Sequence, residues 1–240
     1  MKPQSKGKIF LAEERNCNET DWYRSYNTFN DKKHFKEHKS SFNDLSVLND
    51  NTIAGGRSLH MPVEENSVML LLPVVGAVSY KNTRDGENII NAGQLLISYQ
   101  HKGDTIEISN PHDDLINFLQ FRIKADLRKT DNKPLVFDFD LNKKRNELIE
   151  IIPAAIAKAD NTEFSPIVAL GKFAGREEAV YKLKNTRSSV FVFIIEGVFE
   201  VQGRLLETKD GLGLWEVSED IELEALSNDA IVLLIELTNI

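Results

Sequence analysis

From Ser67 to Tyr80 the chain reads SVMLLLPVVGAVSY: an apolar run, a glycine at Gly76, then alternation of apolar and polar positions. Short runs with period-two alternation, bounded by turn residues, predict β-strands rather than helices. Beyond them, Arg84-Asp85-Gly86-Glu87 separates AVSYKN from NII, and an Asp-Gly pair between alternating segments marks a hairpin. Gly93 then precedes a further strand, QLLISY. The same plan returns in SSVFVFIIEGVFEVQGRLLETKDGLGLWEV, with Gly197, a turn at Gln202-Gly203 and another at Asp210-Gly211. Two blocks of one design are an internal repeat. The segment between them is rich in charge and interrupted by Pro134 and Pro153, so it reads as a linker with at most one helical piece and short extensions. The boundary falls near residue 135, dividing the chain into units of 1–135 and 136–240. Asp220-Ile221-Glu222-Leu223-Glu224-Ala225 alternates throughout, which predicts a strand with one wet face and one core face. AIVLLIEL, Ala230 to Leu237, is apolar on both parities and predicts a central strand. The expectation is an all-β chain of antiparallel barrels or sandwiches.

Composition narrows the function. A chain of 240 residues, 41% of them hydrophobic, can build ample cores without disulfides or structural metals. A net charge of −8 argues against direct nucleic-acid binding, which needs a dominant basic face. The lysines Lys32, Lys33, Lys36 and Lys39 are interleaved with acids and read as solvated surface. Cys17 stands alone in a polar stretch with no basic neighbour to activate it, which fits a reducing compartment. The N-terminal stretch has only a brief apolar patch before acids, so neither a signal peptide nor a membrane anchor is expected, and the cytoplasm is the expected location.

Four segments in order carry a resemblance to the pirin-like proteins: DWYRSYNTF (Asp21 to Phe29), LSVLNDNTI (Leu45 to Ile53), NFLQFRI (Asn117 to Ile123), and ALGKF through IELT. The last is similar to the C-terminal cupin of quercetinase-like members. The resemblance implies two cupin (jelly-roll) barrels in tandem joined by a short linker. In typical members it also implies iron or another transition metal in the first barrel, quercetin dioxygenase activity in some and transcriptional co-regulation in others. Counted from Gly76 and Gly93, the family's four metal-ligand positions fall on Pro62, Glu64, Ile106 and Ile108. Proline and isoleucine offer no lone pair to a metal. Strand parity agrees, since Thr105, Glu107 and Ser109 are polar while Ile106 and Ile108 are apolar, placing the isoleucines inward. His60, His101 and His112 lie nearby without histidine partners at i, i+2 and read as loop or rim residues, and the second half has no histidine. His34-Phe35-Lys36-Glu37-His38 matches the inverted zinc-peptidase pattern, but its surroundings have no apolar stripe to hold a helix on a core.

Three functional readings follow. In the first, a metal-free bicupin binds a small apolar or aromatic ligand or a protein partner, and no cofactor is expected. Val68, Leu70, Leu72, Val78, Tyr80, Ile106 and Ile108 line the first barrel with Glu64 as polar anchor; these residues either surround a pocket or fill the barrel as core. The second reading is enzymatic: a quercetinase-like dioxygenase, or a cofactor-free catalyst with Glu64 as base, which requires a buried Glu64. The third is a regulatory protein whose acidic residues Asp220, Glu222 and Glu224 meet a basic partner, against the simpler reading of a solvated strand face. Trp215 reads as core or rim. No membrane association is expected.

Overall fold

A computed structural model describes residues 5–31, 33–84, 86–127, 133–152, 166–185, 187–217 and 220–237. Twenty-one strands account for most of them, with short 3-10 turns at Ala12–Glu14 and Glu37–Lys39. No helix among the described residues is long and apolar enough to cross a membrane. The chain forms two compact units, Arg15–Phe139 and a second made from Asp140–Ile240 with Met1–Glu14. The first strand, β1 (Lys6–Phe10), thus belongs to the second unit and not to the first.

The first unit contains β2 (Asn16–Glu19), β3 (Tyr23–Asn27), β4 (Leu45–Ile53), β5 (Ser58–Pro62), β6 (Ser67–Val75), β7 (Ala77–Asn82), β8 (Asn88–Asn91), β9 (Gln94–Gln100), β10 (Thr105–Ser109), β11 (Ile116–Lys124) and β12 (Leu135–Asp138). They form a seven-stranded sheet, ordered β12-β9-β6-β11-β4-β3-β2, and a four-stranded sheet, β5-β10-β7-β8. The hairpin expected around Arg84-Asp85-Gly86-Glu87 joins β7 to β8, with Tyr80 opposite Asn88; Asp85 itself lies outside the described residues. The apolar sides of the two sheets meet in one core that includes Met69, Leu71, Val78, Tyr80, Leu96, Ile106, Ile108 and Phe118. This is a jelly-roll barrel with an apolar core between its two sheets.

The second unit adds β13 (Leu148–Ile152), β14 (Ile167–Phe173), β15 (Glu178–Tyr181), β16 (Ser189–Glu196), β17 (Phe199–Val201), β18 (Arg204–Leu206), β19 (Gly211–Trp215), β20 (Ile221–Ala225) and β21 (Ala230–Leu237). Its sheets are ordered β1-β19-β16-β21-β14-β13 and β15-β20-β17-β18. The apolar run from Ala230 is central, paired on both sides, and Ile221, Leu223 and Ala225 alternate into the core. Gln202 and Gly203, at φ +50° and +69°, turn β17 into β18 with Val201 opposite Arg204. The two halves repeat each other at the corner glycines: Gly76 and Gly197 have φ of +80° and +82°.

The intervening segment is less of a linker than its composition suggests. Leu135–Asp138 pairs with β9 and Leu148–Ile152 with β14, so each barrel takes one strand from it. The division by compactness falls between Phe139 and Asp140, close to the expected 135. Residues 153–165, where the helical piece was expected, lie outside the described residues, as does Lys32.

Candidate functional site

Ile106 and Ile108 project into the first barrel. Ile106 lies between Met61 and Asn82, Ile108 between Leu59 and Tyr80, and neither isoleucine has exposed surface. Fully burying such a side chain stabilises a fold by about 1.5–3 kcal/mol. Pro62 is exposed at the end of β5 opposite Thr105, and Glu64 is exposed on the loop that follows. Glu64 is thus exposed on a loop, whereas a polar anchor or base inside the barrel requires a buried side chain. His60 is exposed opposite Glu107, His112 is exposed on the loop before β11, and His101 is half-buried in a turn held by Asp104. Among the described residues no three histidine, cysteine, aspartate or glutamate side chains converge as a metal site requires. Of the four implied positions, Pro62, Ile106 and Ile108 carry no side-chain donor atom for a metal, and Glu64 is exposed.

The zinc-peptidase pattern dissolves in the same way. His34 lies on a loop where its Nδ1 is 3.1 Å from Asp31, and His38 is exposed in a single 3-10 turn, so no helix presents both. Burial alone would raise the Asp31 carboxyl. Hydrogen bonds from Asn18, Asn27 and the backbone N–H groups of His34 and Lys33 outweigh it and hold the group well below the usual carboxylate range. Asp31 organises this loop.

On β6 the expected lining is displaced by one residue. Val68, Leu70 and Leu72 are buried, but the side chains that enter the barrel core from this strand are Met69 and Leu71. The strand is covered on both faces, so apolar character carries no parity there. On β7 and β10, where one face is wetter, Val78, Tyr80, Ile106 and Ile108 do line the interior.

The displacement uncovers a polar layer that the sequence reading missed. Tyr80 Oη and Ser98 Oγ hydrogen-bond at 2.7 Å, and Asn82 Nδ2 donates to Tyr80 Oη at 3.3 Å. Gln100 and Gln120 direct their amide N–H groups at the Met69 sulfur, and Ser67 Oγ donates to Gln100 Oε1 at 3.5 Å. Arg122 follows Gln120 on the same face of β11, opposite Met69. Burial lowers the affinity of its guanidinium for the proton, while Glu65 and Glu64 at the mouth and Tyr80 within oppose that shift. An arginine keeps its charge under such a shift. A signal existed in FLQFRI, Phe118 to Ile123, since its two polar residues, Gln120 and Arg122, stand at i, i+2 and point to the same side.

The second barrel is packed with Val190, Val192, Ile194, Leu212, Leu214, Val232 and Leu234 among others. The parity of β21 carries one more residue inward, Glu236, which has no exposed surface. It accepts hydrogen bonds from Tyr181 Oη at 2.8 Å and from the backbone N–H groups of Lys184 and Asn185. Burial and the Glu236 charge push the Tyr181 phenol far above its ordinary value, so it stays a donor. On the outer face of β15, β20 and β17 a groove of about 330 Å³ is lined by Glu178, Glu200, Glu222, Glu224 and Gln202. Glu224 stands directly between Glu178 and Glu200 and pairs with Arg176 at 3.2 Å. Glu222 and Glu224 thus face outward, Asp220 is exposed just before β20, and Trp215 is half-buried at the end of β19.

Comparison with known proteins agrees with this architecture. Residues 167–237 match the family described as the quercetinase C-terminal cupin domain. Bacterial pirin YhhW from Escherichia coli, solved in complex with nickel(II), superposes with a TM-score of 0.84 at 18% identity, over 98% of this chain and 100% of that one. The chain has the bicupin fold of that pirin. A second structure of YhhW gives a TM-score of 0.85 at 19% identity, covering 98% and 99% of the two chains. A quercetin 2,3-dioxygenase from Acinetobacter baumannii shares the bicupin fold with a TM-score of 0.71 at 16% identity, over 98% of this chain and 88% of that one. No curated protein sequence matches the chain significantly.

Proposed function

We propose that this pirin-like bicupin acts as a binding protein whose first barrel works without a metal and takes a small ligand with an apolar or aromatic body. The observation that carries the reading is the pair Ile106 and Ile108, fully buried in the barrel core where the resemblance expects ligating side chains. Dioxygenase chemistry needs a redox centre to activate oxygen and flavonol together, and isoleucines cannot hold one. The polar layer of Tyr80, Ser98, Gln100, Gln120 and Arg122 supplies the few oriented polar groups that a mostly apolar ligand site uses. The alternative is oxygenation of quercetin, the activity named for the Acinetobacter protein of the same fold. The two separate in an oxygen-electrode assay with quercetin after incubation with iron, manganese or nickel. The binding reading predicts oxygen uptake no faster than the metal salt alone, and quercetin-dependent uptake that scales with protein would reject it.

A further inference from the structure

The inner face of the first barrel holds more hydrogen-bond donors than its own acceptors satisfy. Ser98, Met69 and Arg122 lie side by side across β9, β6 and β11. Gln100 and Gln120 flank this row, and both aim their amide N–H groups at the Met69 sulfur, at 3.2 and 3.5 Å. A thioether is a weak acceptor. Two amides at 1% and 4% exposure sharing one sulfur leave donor capacity unspent. Arg122 adds to the surplus, because its Nε is buried with no partner among the described residues. Among the neighbouring acceptors, Tyr80 and Ser98 bond each other, and Ser67 Oγ lies 3.5 Å from both Gln100 Oε1 and the Glu65 carbonyl oxygen. Glu65 is drawn to Lys124 at 3.3 Å, and both Glu64 and Glu65 are exposed at the mouth.

We propose that this layer binds the carboxylate of a small organic acid, with Arg122 as charged anchor and the Gln100 and Gln120 amides as further donors. A guanidinium presents a planar fork that matches a carboxylate, and the pairing strengthens where water is excluded. Half-buried apolar side chains stand beside the layer to receive the rest of the molecule: Val47 opposite Arg122 on β4, and Met61 opposite Ile106 on β5. The inference names the ligand class for the binding reading above and rests on it.

The test is calorimetric titration of the untagged full chain with benzoate and with its uncharged isostere benzamide, alongside R122Q and R122K checked for folding by circular dichroism and thermal melting. Saturable benzoate binding is expected, with benzamide weaker by about tenfold or more and R122Q reduced by a similar factor. R122K, which keeps the charge and loses the fork, is expected to fall between them. Wild-type protein without saturable benzoate binding, or a folded R122Q that binds as wild type does, overturns the proposal. If R122Q does not fold, R122K decides, and unchanged affinity in R122K overturns it. The metal content of the same samples separates the two failures: stoichiometric metal rejects the metal-free reading, whereas metal-free protein with Arg122-independent binding rejects only the role of this layer.

Discussion

Glu236 is a carboxylate with no exposed surface, and its tolerance is explained by its three donors. Burying a charge without partners costs several kcal/mol, whereas a carboxylate that accepts from a phenol and two backbone N–H groups recovers much of that cost. Its function is to fasten the connection after β15 to the central strand β21. Glu236→Ala leaves those donors unpaired and is expected to destabilise the protein by on the order of 3 kcal/mol, against about 1 kcal/mol for Tyr181→Phe. Urea unfolding of both variants checks the ratio; equal small losses would mean that water replaces the carboxylate. Ile106 and Ile108 teach the converse lesson, since they stand where the resemblance leads one to look for donors and serve as core.

Among the elements, the two corner glycines test the repeat. At Gly76 an added Cβ would meet Ile116 Cγ2 at 2.7 Å, and at Gly197 it would meet Ala230 Cβ at 2.7 Å, both at positive φ. Gly76→Ala and Gly197→Ala should each destabilise by more than about 1 kcal/mol, read as a fall in urea midpoint at unchanged slope; an unaffected midpoint at either site would contradict the corner assignment. The glycines were legible because strain is local. So were β10 and β20, where polar and apolar residues alternate because one face is wetter than the other. Strand β6 was not, since Val68 through Leu72 are all buried and either parity looks like core. The pairing of β1 with β19 was illegible for another reason: Lys6 meets Trp215 across some two hundred residues of chain, and nothing in KGKIF names that partner.

For the whole molecule, fold and function separate. Apolar cores in both barrels, the corner repeat and the superposition on pirin structures at 18–19% identity establish the bicupin fold. A fold hosts many chemistries, and chemistry is argued from the site. Here the site consists of isoleucines at two of the four implied ligand positions and a donor-rich polar layer beside them, which the account reads as binding without metal. The all-β class was foreseeable from hydrophobic patterning over long stretches, and the tandem cupin barrels only from the resemblance. The polar layer was not, because it depends on which parity of β6 faces inward, and one residue of slip exchanges Met69 for Leu70.

The central claim is tested most directly by elemental mass spectrometry on untagged protein grown with iron, manganese, nickel and zinc available. Each metal is expected well below one atom per chain, unchanged after dialysis against those metals. Near-stoichiometric metal that survives dialysis against buffer would contradict it, and would mean that His60, His101 or His112 reach a common centre.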